Sequence, residues 1–255
     1  MILTIDIGNT NVSLAIFSAN KIVKNKTHKT DLIKKSSNSN QIFIENFISE
    51  FFIDGVIISS VVPELDETFR LDIKKILSIS PIFVNDLKKK LKIKTLIKNR
   101  KEIGSDRLVN VIYSLSLFKP PILIVDFGTA TTIDYLNKNL IYEGGIIAPG
   151  IDLSLNSLFK HTSKLPLIKF KKTKSVIGNN TKSAIKSGFY WGYVSLINGL
   201  IKKIKEEKKI KPKIILTGGN CFYFEGLIED VCLIDRFFIV KGLNYIYNYK
   251  IKDEL

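Results

Sequence analysis

Little in this chain points to zinc or disulfide chemistry. Cysteine occurs only at Cys221 and Cys232, eleven positions apart, and histidine only at His28 and His161. So few ligands, so spaced, make neither a zinc cage nor a disulfide framework, and a protein with reduced thiols in the cytoplasm is expected. Apolar runs stay far short of the roughly 20 residues that cross a bilayer. No basic segment precedes the first apolar stretch, which Asp6 interrupts, so no signal peptide is expected. The final Lys252-Asp253-Glu254-Leu255 spells an endoplasmic-reticulum retention address. That address is read only on chains that have entered the lumen, and here it is taken as coincidence. Arginine is scarce too: Arg70, Arg100, Arg107 and Arg236 are four of 39 basic residues, in a chain of net charge +15. Bidentate reading of bases and phosphates favours arginine. The lysines are scattered in short groups such as 88–90 and 202–203, not in one stripe. A solvated basic surface is therefore expected, with neither nucleic acid nor membrane as partner.

The remaining composition is that of a globular chain, 45% hydrophobic and 25% charged over 255 residues, enough for one large domain or two ordinary ones. Residues 2–7, 11–17 and 21–28 read as three successive strands, followed by a polar loop at 34–41 and a helix around 41–52. A buried strand opens "GVIISSVVPE" (55–64), and a helix near 64–78 and a short strand at 82–84 follow. The lysine-rich segment 86–103 has no clear period, and a helix over 105–118 stops before Pro120 and Pro121. Then the pattern restarts, with strands at 122–126, 130–136 and 140–148, a helix from "SLNSLF", a loop over 164–178, a long helix or broken pair over 181–207, and a strand in "KIILTGGN" (213–220). Two lobes are expected, 1–118 and 119–255.

The restart is explicit in the letters. Ile2, Leu3, Asp6 and Gly8 in "ILTIDIGNTN" return as Ile122, Leu123, Asp126 and Gly128 in "ILIVDFGTAT", all at an offset of 120. A strand ending in Asp-x-Gly is often only a turn. Two copies at one offset suggest more. Glycine lets backbone N–H groups converge on an anion, small hydroxyl and amide side chains add donors, and the carboxylate can hold a hydrated cation. Two such turns in two like lobes would face a nucleotide's phosphates and metal. "LTGGN" (216–220) suits close backbone approach to a ribose or adenine, or a plain strand-to-helix turn. Tyr190, Trp191 and Tyr193 suggest a dimer-facing helix, "FYFEG" (222–226) packing behind the glycine turn, and His161 a loop or cap.

Taken in order, Asp6-Ile-Gly-Asn-Thr10, Gly104-Ser-Asp-Arg107, "VDFGTATT" (125–132), "EGGIIAPG" (143–150), Thr181 in "GNNTKSAIKSG" and "LTGGN" resemble the motif set of type III pantothenate kinases, over nearly the whole chain. The resemblance implies a duplicated ribonuclease-H-like (actin-like ATPase) α/β fold, two mixed-sheet lobes around a nucleotide cleft. It implies ATP-dependent phosphorylation of pantothenate, the first step toward coenzyme A, with Mg²⁺ and K⁺ or NH₄⁺ as cofactors. It makes Asp106 the general base, and Asp6, Ile7, Gly8, Asn9, Thr10, Asn11, Val12, Ser13 and Thr129 the ATP contacts. Gly104, Ser105, Asp106, Arg107 and Thr181 would bind pantothenate, with Thr181 contributed by the partner in a homodimer. Asp126 would hold the monovalent cation and Asp6 would lie near Mg²⁺. One segment departs from the family: "KTLIKNRKE" (94–102) lacks the usual aromatic residue and Asn-Pro pair, with Arg100 where the proline is expected. A sibling small-metabolite kinase or phosphatase, a non-catalytic nucleotide-binding regulator and a basic nucleic-acid binder remain alternatives.

Overall fold

Strict alternation in Ile2–Ile7 (β1) sends Leu3, Ile5 and Ile7 to one face and Ile2, Thr4 and Asp6 to the other. The computed structural model describes residues 1–34, 39–88 and 90–251. The C-terminal tetrapeptide and parts of the 34–41 loop and the 88–90 lysines therefore lie outside the described residues. The chain divides into two compact units, Met1–Leu117 with Phe237–Leu255, and Phe118–Arg236.

In the first unit, β1 is followed by Asn11–Ser18 (β2), Lys21–Lys29 (β3), short Thr30–Lys34 (α1), Ser39–Ile48 (α2) and Gly55–Ser60 (β4). Pro63–Leu77 (α3), Ile82–Phe83 (β5), Val84–Leu87 (α4), the two-residue Lys94–Thr95 (β6) and Ser105–Leu117 (α5) come next. The strands run in the order β3-β2-β1-β4-β5. β2 and β3 pair antiparallel, whereas β4 joins β1 in parallel and β5 extends it in parallel. Proline at the start of α3 has no N–H to lose there, and Ser78 closes the helix in the left-handed conformation. The inward residues of β1 and β2 pack on Phe43 and Phe47 of α2 and on Leu65, Phe69 and Ile73 of α3. Each such fully buried side chain contributes about 1.5–3 kcal/mol.

The second unit repeats the scheme with Ile122–Phe127 (β7), Ala130–Leu136 (β8), Ile141–Pro149 (β9), Ile151–Lys160 (α6), Thr181–Lys208 (α7), Lys213–Thr217 (β10) and Val231–Ile234 (β11). Its strands follow the order β9-β8-β7-β10-β11, with the same antiparallel and parallel senses. Matched position by position, the five strands of each unit are three antiparallel ones followed by two parallel ones. This is the duplicated ribonuclease-H-like fold. α7 is one unbroken 28-residue helix. It starts in a reciprocal cap, Ser183 N–H donating to Asn180 Oδ1 (2.9 Å) and Asn180 N–H to Ser183 Oγ (3.1 Å). Phe224 lies fully buried, its ring 4.3 Å from that of Phe127, so within "FYFEG" it is Phe224 that packs behind the glycine turn, while Phe222 is exposed. His161 is the C-cap of α6.

The structure differs from the sequence reading at the C-terminus. Phe238–Ile246 (α8) belongs to the first unit, not the second. Its Val240 packs on Ala15 and Phe17, and its Phe238 ring lies 4.8 Å from Tyr113 of α5. Gly242 allows the two helices to approach, because a Cβ there would meet Val109 at 2.7 Å. On the outer face of β1 and β2, Ala15 and Phe17 take apolar cover from α8. Among the described residues no helix is long and apolar enough to cross a membrane.

Candidate functional site

The Asp6–Ser13 stretch is the hairpin joining β1 and β2. Gly8 N–H donates to the Asn11 carbonyl (3.0 Å), and the Thr30 hydroxyl donates to the Gly8 carbonyl (2.7 Å), fixing the turn from below. Asn9, Thr10 and Asn11 are exposed at its tip, whereas Ile7 and Val12 turn their side chains into the core. At those two positions only the backbone can meet a ligand. Asp6 stands in register with Ser13 on β2 and Ser59 on β4, all three on one face of the sheet. Ser13 in turn lies 3.4 Å from the Thr27 hydroxyl of β3. The carboxylate thus interrupts a row of hydroxyls, an all-oxygen donor set suited to a hard cation or a phosphate counter-ion.

That row continues into the start of α5. Ser105 is 1% exposed, and its hydroxyl lies 3.0 Å from Ser59 Oγ, donates to the Ser60 carbonyl (2.8 Å) and accepts from Ser60 N–H (2.9 Å). These bonds anchor α5 on the end of β4. Asn85 of α4 donates to the same Ser60 carbonyl (3.0 Å). The next residue, Asp106, lies in the first turn of α5, where the helix dipole favours an anion. Its Oδ1 accepts from Arg107 N–H (2.8 Å) and folds back over Gly104. A Cβ on Gly104 would lie 2.3 Å from that oxygen, so the glycine is what leaves room for the carboxylate. Burial raises the Asp106 pKa above the usual carboxylate range, against the opposing pull of Arg107 and Lys88. A carboxylate of raised pKa next to open backbone is suited to accept a proton.

Lys88, just after α4, was indistinguishable by sequence within its lysine-rich segment. Its ammonium donates to the Ile103 carbonyl (2.7 Å) and lies 3.5 Å from that of Lys101. Burial lowers its pKa, and the nearby Asp106 charge opposes that shift.

In the second unit Asp126 occupies on β7 the place of Asp6 on β1. It stands in register with Thr132 of β8 and Thr217 of β10, again a carboxylate between hydroxyls. Gly218 follows Thr217 with φ of +88°, and a Cβ there would meet Asp126 Oδ1 at 2.4 Å and the Phe127 backbone at 2.6 Å. Thr129 is exposed on the turn after Asp126, and its carbonyl accepts from Gly150 N–H (3.1 Å). "LTGGN" therefore serves the acid of its own unit, a relation its glycines alone did not reveal. Among the described residues no three His, Cys, Asp or Glu side chains group as metal ligands. Any cation at Asp6 or Asp126 must draw on hydroxyl, carbonyl, water or ligand oxygens as well.

Residues 2–203 match the family model for type III pantothenate kinase. The chain belongs to that family. It is 38% identical over 254 residues to the type III pantothenate kinase of Sulfurihydrogenibium sp. (strain YO3AOP1), covering 98% of this chain and 100% of that one. The enzyme of the same name from Halalkalibacterium halodurans is 37% identical over 252 residues, 97% and 98% of the two chains. Among solved structures, a Campylobacter jejuni protein named as a Baf family transcriptional activator superposes with a TM-score of 0.62 at 22% identity, covering 99% and 100% of the chains. Component A of (R)-2-hydroxyglutaryl-CoA dehydratase from Acidaminococcus fermentans superposes at 0.53 and 11% identity, covering 99% and 98%. At these identities the two structures speak for the fold alone. The chain is accordingly a kinase, a phosphotransferase by family.

The other family positions fall in the second unit or just ahead of α5. Thr181 is exposed as the first residue of α7, outside the Asn180 cap. Tyr190 and Tyr193 face the core of their own unit rather than outward, Tyr193 donating to the Pro149 carbonyl (2.9 Å). The open side of α7 carries Gly188 and Gly192, where an added Cβ would touch nothing within 4 Å, beside Val176 and Ile177, 63% and 83% exposed. In the divergent segment before Gly104, Asn99 caps a short 3-10 turn over Arg100–Glu102, accepting from Lys101 N–H (3.1 Å). Both thiols are free, and burial pushes Cys221 up to about 12.

Proposed function

We propose that this chain transfers the γ-phosphoryl group of ATP to the primary hydroxyl of pantothenate, giving 4′-phosphopantothenate, the first step of coenzyme A synthesis. The observation that carries the reading is the Asp106 carboxylate, held over Gly104 at the start of α5 with its pKa raised by burial. In the reaction the pantothenate oxygen forms a bond to the γ-phosphorus while the bond to the ADP oxygen breaks. Asp106 takes the hydroxyl proton as that bond forms, and ADP leaves with the electron pair. Such transfers depend on alignment and charge neutralisation more than on covalent help.

The Asp6–Ser13 hairpin and Thr129 contact ATP, and Asp6 with its flanking hydroxyls would hold Mg²⁺. Asp126, between Thr132 and Thr217, would hold K⁺ or NH₄⁺. When bound, these cations offset phosphate charge. Gly104, Ser105 and Arg107 line the pantothenate site around Asp106, where a guanidinium suits the substrate carboxylate or the transferring phosphoryl group. Thr181 reaches pantothenate from a second copy, and the open Gly188–Gly192 face of α7 supports that pairing.

ADP release with ATP, Mg²⁺ and pantothenate, measured in potassium, ammonium and sodium, tests the reading. Turnover should require pantothenate, prefer potassium or ammonium to sodium, and fall about 10²–10⁴-fold in Asp106→Asn. Asp126→Asn should abolish the difference between cations. Full activity in Asp106→Asn would remove Asp106 as the base, and identical rates in all three salts would remove the cation site.

A further inference from the structure

We propose that Lys88 is a positioning residue for Asp106, holding the backbone ahead of it and supplying positive charge beside its carboxylate. The inference rests on Asp106 being the base. One hydrogen bond and its surroundings place the lysine. Its ammonium donates to the Ile103 carbonyl at 2.7 Å. Ile103 precedes Gly104, over which the Asp106 carboxylate lies. α4, which ends just before Lys88, is itself tied to the end of β4 through Asn85. One short helix therefore braces both the strand on which α5 is anchored and the residues that enter α5.

The charges around Asp106 are few. Arg107 is on its own helix, and β4 presents the uncharged Ser59 and Ser60. Asp6 stands one strand beyond Ser59. Asp86 of α4 pairs with Arg70 (3.2 Å), and Lys101 and Glu102, ahead of Ile103, are exposed. Among the described residues, Lys88 is the cation acting on the carboxylate that tertiary structure, not chain neighbourhood, supplies. Its ammonium bonds the backbone carbonyls while its charge favours the ionised acid. A base must be ionised to accept the proton, so removing this charge should move the pH at which activity appears.

The test combines two readouts in the full-length enzyme. Carboxyl ¹³C-labelled aspartate follows the titration of Asp106, its resonance assigned by its loss in Asp106→Asn, and kcat/KM is measured against pH. Lys88→Met and Lys88→Gln should raise the Asp106 midpoint and move the acid limb of kcat/KM to higher pH in step with it, with activity lost below the limb. Lys88→Arg should restore both. An unmoved Asp106 midpoint in both uncharged variants overturns the inference, whatever their rates. A raised midpoint with an unmoved acid limb upholds the action of Lys88 on Asp106 and overturns Asp106 as the base.

Discussion

Gly104→Ala should leave a folded protein that has lost most of its activity. The new Cβ would stand 2.3 Å from Asp106 Oδ1 but at an ordinary 3.6 Å from Val61 Cγ1. Gly104 is not among the residues with positive φ, so alanine strains no backbone there. The clash is met by the mobile end of a side chain, which makes it cheap for stability and damaging for geometry. A carbon-to-oxygen contact of this kind needs about 3.3–3.6 Å, so the carboxylate must retreat by about 1 Å. Misplacing a reacting group by about 1 Å costs on the order of 10²-fold, or about 2.7 kcal/mol of barrier. The assay is coupled ADP release at saturating ATP, with thermal melting as the folding control. The decisive comparison is the double variant. If the methyl acts only by displacing the carboxylate, Gly104→Ala adds nothing to Asp106→Asn, because the two changes share one target. A further hundredfold loss in the double variant, or a single variant within threefold of the parent, would refute the reasoning.

Two more outcomes concern stability. Ser105→Ala leaves the buried Ser60 N–H without its 2.9 Å acceptor and should cost about 1–3 kcal/mol in urea unfolding; a variant as stable as the parent would show that α5 is not anchored there. Asp106 has a raised folded pKa, so its proton stabilises the native state at low pH, and that benefit is lost as pH rises from the unfolded value, near 3.8, through the folded one. Asp106→Asn should therefore melt higher than the parent at pH 8, with the advantage gone near pH 3.5. Melting below the parent at pH 8 would contradict the sign.

Much of the fold was legible because the signals were local. The alternation in β1 and the turn chemistry after Asp6 and Asp126 sit within a few residues, and their repetition at one offset exposed the duplication. The stop before Pro120 and the glycine-rich end of β10 were equally readable. What escaped was decided by distant partners. α8 is a short apolar helix whose place depends on the bare face of β1 and β2, far back in the chain. β11, at Val231–Ile234, is four residues long and acquires meaning only beside β10. Within the site, Asp106 was marked by its motif, whereas Lys88 is one lysine among many until α4 turns it toward Ile103. Ser105 carried the opposite ambiguity, a motif residue whose hydroxyl faces the scaffold.

The return of α8 to the first unit also orders events on the ribosome. Residues 118–236 form a contiguous unit that can close its core as soon as it has emerged. The first unit, although its sheet is synthesised earlier, lacks the cover for Ala15 and Phe17 until residue 240 is made. Domains made in one piece fold as they emerge, so the half of the protein begun first is the one completed last.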